Sequence, residues 1–392
     1  MISVQQAINL VEEHTRTTHK TIWVKTQDAL DFVLAEDVLS TISMPPFRQS
    51  AMDGYALHLH QNNTYKIIGE IQAGDASQPT LQQGEAVRIF TGAPVPQTAN
   101  AVIMQEKTLV NDTLLTVTDN PAINTNIRPQ GEQIKQGDLA LQKGIKLTPA
   151  AIGFMASLGI TKVAVYKKPK VAVVTTGNEL IPPGTPLTYG KIYESNGTML
   201  VSALHKTGFN DVQTFKLADD YLQTVALIKE LSLQFDVILL SGGISVGDYD
   251  FVGKAMNELK VQQVFYKVKQ KPGKPLYFGK KDQTYFFGLP GNPASTLSCF
   301  YSYVIPALER FQGNKNGRLL KIEAQATNDF VKKGSRAQFL KASYKNGEVT
   351  ILEGQASSML HTFALANALV FIPEEQTTIT KKQMVKVICL PV

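Results

Sequence analysis

The first repeating signal in the chain is helical. Val4, Ala7, Ile8 and Val11 recur at spacings of three and four and predict an amphipathic helix near the N-terminus. A second, shorter periodic segment, Leu30, Val33 and Leu34, runs into LAEDVLS, so residues 1–44 read as a helical lead-in. From Pro45 the period shortens. YKIIGEIQ, EAVRIFTG, ANAVIMQE and TLVNDTLLTVTD read as short strands, and Asn111-Asp112 separates two apolar runs as a hairpin turn does. Residues 45–144 are therefore expected to form a β-rich arm. Helical character returns at Thr148, a suitable cap with Pro149 in the first turn, and Gly159 is suited to end that helix. Residues 145–166 are expected to pack beside 1–44 as one discontinuous helical domain with the arm inserted into it.

Over 167–312 the pattern alternates. VAVVTTG, DVQTFKLA, DVILLSGG, VFYKVK and TYFFGLP read as strands, separated by helical stretches such as SNGTMLVSALHKTG, DYLQTVALIKELS and FVGKAMNELK. Continuous apolar strands joined by helices predict a mostly parallel sheet covered on both faces, with ligands at the carboxyl ends of its strands. After a linker at 313–317, residues 318–392 return to short strands, from KIEAQATN to QMVKVICLPV, and predict a small all-β domain. The fold class expected is a multidomain α/β plus β protein.

Composition adds limits. A chain of 392 residues, 43% of them hydrophobic, exceeds one ordinary core and suggests about three or four domains. Cys299 and Cys389 cannot make a disulfide framework and have no zinc-like spacing. The N-terminus lacks a basic region followed by an apolar run, and no stretch is long enough to span a bilayer, so a soluble cytoplasmic protein without membrane attachment is expected. The formal charge of +6 suits anionic ligands, but no aromatic-interleaved basic motif accompanies it, and nucleic acid is not an expected partner.

The chemistry concentrates in loops. One strand ends at Thr175-Thr176-Gly177, followed by Glu179. Another ends in Ser241-Gly242-Gly243, whose loop passes Ser245, Gly247, Asp248 and Asp250 before a helix. Glycines let backbone N–H groups approach an anion, and a helix N-terminus adds partial positive charge, so a phosphate-bearing ligand fits both turns. Asp248 and Asp250 could hold a hard cation beside that phosphate or could cap the helix. GLPGNPAST places Pro290, Asn292 and Ser295 at a third strand-to-helix junction. In Lys271-Pro272-Gly273-Lys274-Pro275 prolines stiffen a loop bearing two cations, which suits an oxyanion, although the loop taken alone reads first as a rigid solvated turn. In the arm, Ser50 and Asp53 interrupt one strand pattern and Thr91-Gly92 ends another. His58 and His60 could share a strand face but lack a third ligand nearby. No Ser-His-Asp elbow or Walker loop is present.

Taken in order, SAMDGYAL, RIFTGAPVP, TTGNEL with KIYESNG downstream, SGGISVGDYD, KPGKP and GLPGNPAS resemble the molybdopterin molybdenumtransferase family, which includes the corresponding domain of gephyrin. The resemblance covers nearly the whole chain. It implies a helical domain, a β-rich arm, an α/β molybdopterin-binding domain and a C-terminal β barrel, in a homodimer with its cleft across the interface. It further implies adenylylated molybdopterin, received from the upstream molybdopterin adenylyltransferase, and molybdate as substrates. Mg²⁺-assisted cleavage would release AMP and leave molybdenum on the dithiolene.

Carried over by position, the resemblance sets molybdate against Lys271, Lys274, Ser295, Arg336 and Ser357. The molybdopterin-adenylate falls to Thr176, Gly177, Ser241, Gly242, Gly243, Ser245, Gly247 and Asp248, with Pro290 and Asn292 also at the substrate. Asp53 and Thr91 join Glu179, Asp250 and the two lysines as catalytic candidates, and Asp53, Glu179 and Asp250 are the acids favoured for Mg²⁺. Three positions depart from the pattern: Asn178 and Asn100 stand where Asp is common, and Gln133 where the family carries an acid. A molybdopterin adenylyltransferase would need the α/β loops alone, and a dimeric scaffold would need none of the fixed cations.

Overall fold

A computed structural model describes residues 1–244 and 251–391. The chain divides into two compact units, one of Trp23–Leu30 and Leu34–Val165 and the other of Met1–Ile22, Asp31–Val33 and the chain from Tyr166 onward.

Helix α1, Val4–His14, begins with a reciprocal cap: Ser3 Oγ accepts from Gln6 N while Gln6 Oε1 accepts from Ser3 N. Its buried stripe is Val4, Ala7, Ile8 and Val11, as the spacing predicts, and it belongs to the same apolar cluster as Val171, Leu276 and Phe300. Helix α2, Pro149–Ser157, is capped by Thr148 and followed by Gly159 at φ +74°, but it lies in the other unit. The two helices expected to pair thus sit in different cores, because the apolar face of α1 is taken by the α/β sheet. The segment at Leu30, Val33 and Leu34 is not helical either. A single 3₁₀ turn, Thr26–Asp28, precedes it, Asp31 adopts φ +63°, and Leu34 bridges Val165 as a strand does. Spacings over so few residues do not separate a helix from two buried extended residues.

In the arm's unit, β1 (Gly54–Leu57), β2 (Thr64–Ile71), β3 (Glu85–Ile89), β4 (Ala101–Met104), β5 (Thr108–Asn111) and β6 (Leu114–Val117) form one sheet in the order β4-β1-β3-β2-β6-β5. Its strands bury both faces: Ala56, Val87 and Val102 enter one apolar cluster, and Tyr55, Leu57 and Ile103 the other. Asp112 at φ +51° makes the turn of the β5–β6 hairpin.

The second unit contains the sheet that builds the site. Its strands are β7 (Val171–Thr176), β8 (Val212–Leu217), β9 (Val237–Ser241), β10 (Gln262–Tyr266), β11 (Tyr277–Lys281) and β12 (Thr284–Leu289), ordered β8-β7-β9-β12-β11-β10. The first four are mutually parallel, and at one edge β11 pairs antiparallel with β12 and β10 antiparallel with β11. Side-chain alternation explains their continuous apolar runs. Val171, Val173, Val237 and Leu239 enter one cluster, while Ala172, Val174, Ile238 and Leu240 enter the other. Helices α3 (Asn196–Lys206), α4 (Tyr221–Gln234) and α5 (Phe251–Glu258) connect the strands. After β12 the chain continues through α6 (Pro293–Cys299), a π-helical stretch Phe300–Val304 and α7 (Ile305–Phe311). The wide turns adjoin Pro306, which lacks an N–H and crowds the preceding turn of a regular α-helix.

Beyond the linker, β13 (Lys321–Ala326), β14 (Ala337–Lys345), β15 (Glu348–Ile351), β16 (Ala368–Ile372) and β17 (Met384–Cys389) close into a five-strand barrel, β14-β15-β13-β17-β16 and back to β14. Closure leaves none of these five with an open edge of its own. The two-residue strand Gln270–Lys271 pairs in parallel with β14 and ties the lysine loop to the barrel. Among the described residues, no helix is long and apolar enough to cross a membrane.

Candidate active site

The carboxyl ends of the parallel strands open into a cleft of about 840 Å³ within the second unit. The turn after β7 supplies Thr176, Gly177 and Glu179, and the turn after β9 supplies Ser241, Gly242 and Gly243. Pro290, Asn292 and Ser295 enter from the β12–α6 junction, and Lys271, Lys274, Arg336 and Ser357 complete the wall. Ser245, Gly247, Asp248 and Asp250 lie outside the described residues.

The first two turns touch. Gly242 has φ +95°, and a Cβ on it would fall 2.7 Å from the Thr176 carbonyl, so only glycine allows this approach. Asn196 at the start of α3 clamps the same region, its Nδ2 donating to Ser241 Oγ at 2.9 Å and to the Gly291 carbonyl at 2.7 Å. Thr176 Oγ1 and Asn196 Oδ1 remain buried without a hydrogen-bond partner among the described residues, polar atoms that a bound polar ligand would satisfy. Asn196 stands in the KIYESNG motif, and no local spacing marks its role, because both of its partners are distant in the chain.

The lysine side of the cleft is differently built. Lys271 and Lys274 are exposed, and neither ammonium has a hydrogen-bonding or ionic partner among the described residues. Ser295 is 2% exposed, on the first turns of α6. Asn292 Nδ2 donates to Ser357 Oγ at 3.0 Å, joining α6 to the barrel loop. That loop is pinned from below by Lys341, whose Nζ donates to the carbonyls of Gly354, Ala356 and Met359 at 2.7, 3.2 and 3.0 Å. Burial lowers the Lys341 pKa from its ordinary value, and no periodicity or motif marked this residue.

Asp53 and Thr91 lie in the first unit, where they bond to one another. Thr91 donates to Asp53 Oδ1 twice, from Oγ1 and from its backbone N, each at 2.7 Å. The side-chain bond, then the backbone bond, hold the carboxyl below the usual carboxylate range. Thr91→Val, which removes the hydroxyl and keeps the N–H, is expected to raise the Asp53 titration midpoint in carboxyl-carbon NMR. An unmoved midpoint would contradict this cause.

Each ring of the histidine pair lies against a backbone carbonyl, and among the described residues the pair joins no group of three metal-ligating side chains. His58 Nδ1 lies 3.0 Å from the Leu81 carbonyl and His60 Nε2 lies 2.7 Å from that of Thr64. A second cavity, of about 720 Å³, is lined largely by apolar groups such as Ile8, Leu319, Phe339 and Phe371, and holds none of the glycine turns or paired lysines.

Residues 2–159 match the family model of the MoeA N-terminal region (domain I and II), residues 172–310 that of a probable molybdopterin binding domain, and residues 323–390 that of the MoeA C-terminal region (domain IV). The chain is 35% identical to a molybdopterin molybdenumtransferase of Haemophilus influenzae, over 99% of this chain and 98% of that one. It belongs to the molybdopterin molybdenumtransferase family. A second relative of that name, from Staphylococcus epidermidis, is 34% identical over 95% of this chain and 91% of its own. A solved molybdopterin biosynthesis MoeA protein from Pyrococcus horikoshii is similar over 99% of this chain and 100% of that one, with a TM-score of 0.86 at 28% identity.

Two of the positions that the resemblance marks as departures have local structural roles here. Asn178 Oδ1 accepts from Asp219 N while Asn178 N donates to Asp219 Oδ2, a reciprocal pair in which the amide avoids a second carboxylate beside Asp219. Asn100 Oδ1 accepts from Leu59 N beyond the end of β1. Gln133 is exposed in the first unit.

Proposed function

We propose that the cleft inserts molybdate into adenylylated molybdopterin, releasing AMP and leaving molybdenum on the dithiolene. The observation that carries this reading is one cleft that gathers glycine turns from adjacent parallel strands with buried polar atoms and two lysines of a proline-stiffened loop that have no partner among the described residues. Backbone N–H groups of the 176–177 and 241–243 turns would bind phosphate oxygens. Lys271, Lys274 and Arg336 would hold the molybdate charge, with Ser295 and Ser357 donating to its oxygens. Hydrolysis of the phosphoanhydride then separates AMP, with water supplying the new P–O bond.

The acids fit a Mg²⁺ shared with substrate. Hard cations beside polyphosphates are bound through one or two carboxylates together with phosphate oxygens, and Glu179 stands in the cleft with the glycine turns. Glu179 is exposed in the cleft without a partner among the described residues, and Asp250 and Asp53 are the other two acids assigned to this task. Bound there, Mg²⁺ would neutralise charge on the phosphoanhydride.

The substrate would come from a molybdopterin adenylyltransferase. The working form would be a C₂ homodimer in which Asp53 and Thr91 serve the partner's cleft. Purified protein given adenylylated molybdopterin, molybdate and Mg²⁺ is expected to release AMP and to yield cofactor that activates a molybdenum-free apoenzyme. AMP release without usable cofactor would overturn the assignment. For the dimer, heterodimers isolated from co-expressed Asp53→Ala and Asp250→Ala chains are expected to regain about half the activity, because one of two symmetric clefts keeps both residues. Heterodimers as inactive as either parent would place both residues in one subunit's site.

A further inference from the structure

Beneath the lysine loop lies a buried polar network that the proposed chemistry leaves unused. Gln270 is fully buried, and its Nε2 donates to the Gly273 carbonyl at 3.0 Å and contacts Cys299 Sγ at 3.4 Å. Its Oε1 accepts a hydrogen bond from the equally buried Tyr303 hydroxyl. Arg336 Nη1 donates to the Gln270 carbonyl at 3.1 Å, and Val268 N donates to the Lys274 carbonyl at 3.0 Å. Gly273 has φ +82°, and a Cβ there would fall 2.5 Å from Cys299 Sγ, so the loop rests directly on these side chains. Ser295, Cys299 and Tyr303 follow one another at intervals of four along the helical run that starts at Pro293. The run that brings Ser295 to the cleft therefore also carries the contacts under the loop.

We propose that Gln270 and Tyr303 are positioning residues for the oxyanion site, fixing the Gly273 carbonyl and through it the placement of Lys271 and Lys274 relative to Ser295. This rests on the reading of that loop as the molybdate site. A buried amide satisfied at both ends holds its partners in one geometry, whereas an apolar replacement of similar size strands the Tyr303 hydroxyl and leaves the Gly273 carbonyl with only the weak Cys299 thiol donor at 3.8 Å. The loop then relaxes while both cations remain. Because molybdate must recover the lost geometry on binding, its affinity falls more than the turnover of the filled site.

The test uses the full-length enzyme in the metal-insertion assay. Gln270→Met and Tyr303→Phe are each expected to raise the KM for molybdate about tenfold while kcat at saturation stays within about twofold. A second readout is independent of activity. In a Cys389→Ser background Cys299 is the remaining thiol, and burial pushes it up to about 12, so it reacts slowly with an aromatic disulfide. Gln270→Met is expected to speed that reaction, and molybdate to slow it again. Lys274→Ala separates the two claims. If it raises the molybdate KM while Gln270→Met and Tyr303→Phe lower only the melting temperature, the positioning role is overturned and the site stands. If Lys274→Ala itself leaves the molybdate KM unchanged, the site reading fails.

Discussion

Replacing both Lys271 and Lys274 with alanine is expected to raise the molybdate concentration required for half-maximal insertion by about a hundredfold or more. Each charge-assisted contact contributes about 1.5–3 kcal/mol where water is partly excluded, and two lost together amount to about 3 kcal/mol at the low end, a little over a hundredfold. Neither ammonium has a partner among the described residues, so their removal strands no buried acceptor and should leave the fold intact. Melting temperature and KM for molybdate, measured on the same preparation, check this. A double variant with normal molybdate saturation would contradict the role of the loop. So would a loss that tracks unfolding alone.

Glu179→Gln carries the second large effect. The side chain folds back toward Gly177, where a Cβ would fall 2.6 Å from Glu179 Oε2, and it faces the cleft without a partner among the described residues. Glutamine keeps the size and removes the charge a hard cation requires, so AMP release is expected to slow by about 3–4 kcal/mol, a factor of several hundred at limiting Mg²⁺. Raised Mg²⁺ should restore part of the rate, because the substrate phosphates still supply oxygen ligands. A variant as fast as the parent at limiting Mg²⁺ would remove Glu179 from the metal role.

Much of the fold was legible in the sequence because the strongest signals were long. Thr148-Pro149 and Gly159 bound α2, and Asn111-Asp112 turns the β5–β6 hairpin. The continuous run VAVVTT becomes β7, with alternate residues in two apolar clusters. The short signals failed. Leu30, Val33 and Leu34 matched a helical spacing by chance, and nothing in α1 showed that its apolar stripe would face the α/β sheet rather than α2. The cleft followed the same division. Glycine turns and the proline-bound lysines have local sequence signatures, and the structure gathers them. Gln270, Tyr303 and Lys341 have none, because a buried polar residue becomes visible only when its distant partners are known. Asn196 lay inside a recognised motif, yet its bonds reach across 45 residues to Ser241 and 95 to Gly291.

The central claim is that this cleft holds the metal oxyanion on its stiffened lysines. Tungstate presents the same tetrahedral oxygens as molybdate and scatters X-rays anomalously, so a crystal of the protein soaked with it reports the position of the metal directly. The account predicts an anomalous peak within hydrogen-bonding reach of Lys271, Lys274 and Ser295, lost in the Lys271→Ala, Lys274→Ala double variant. A peak elsewhere, or one that persists unchanged in the double variant, would contradict it.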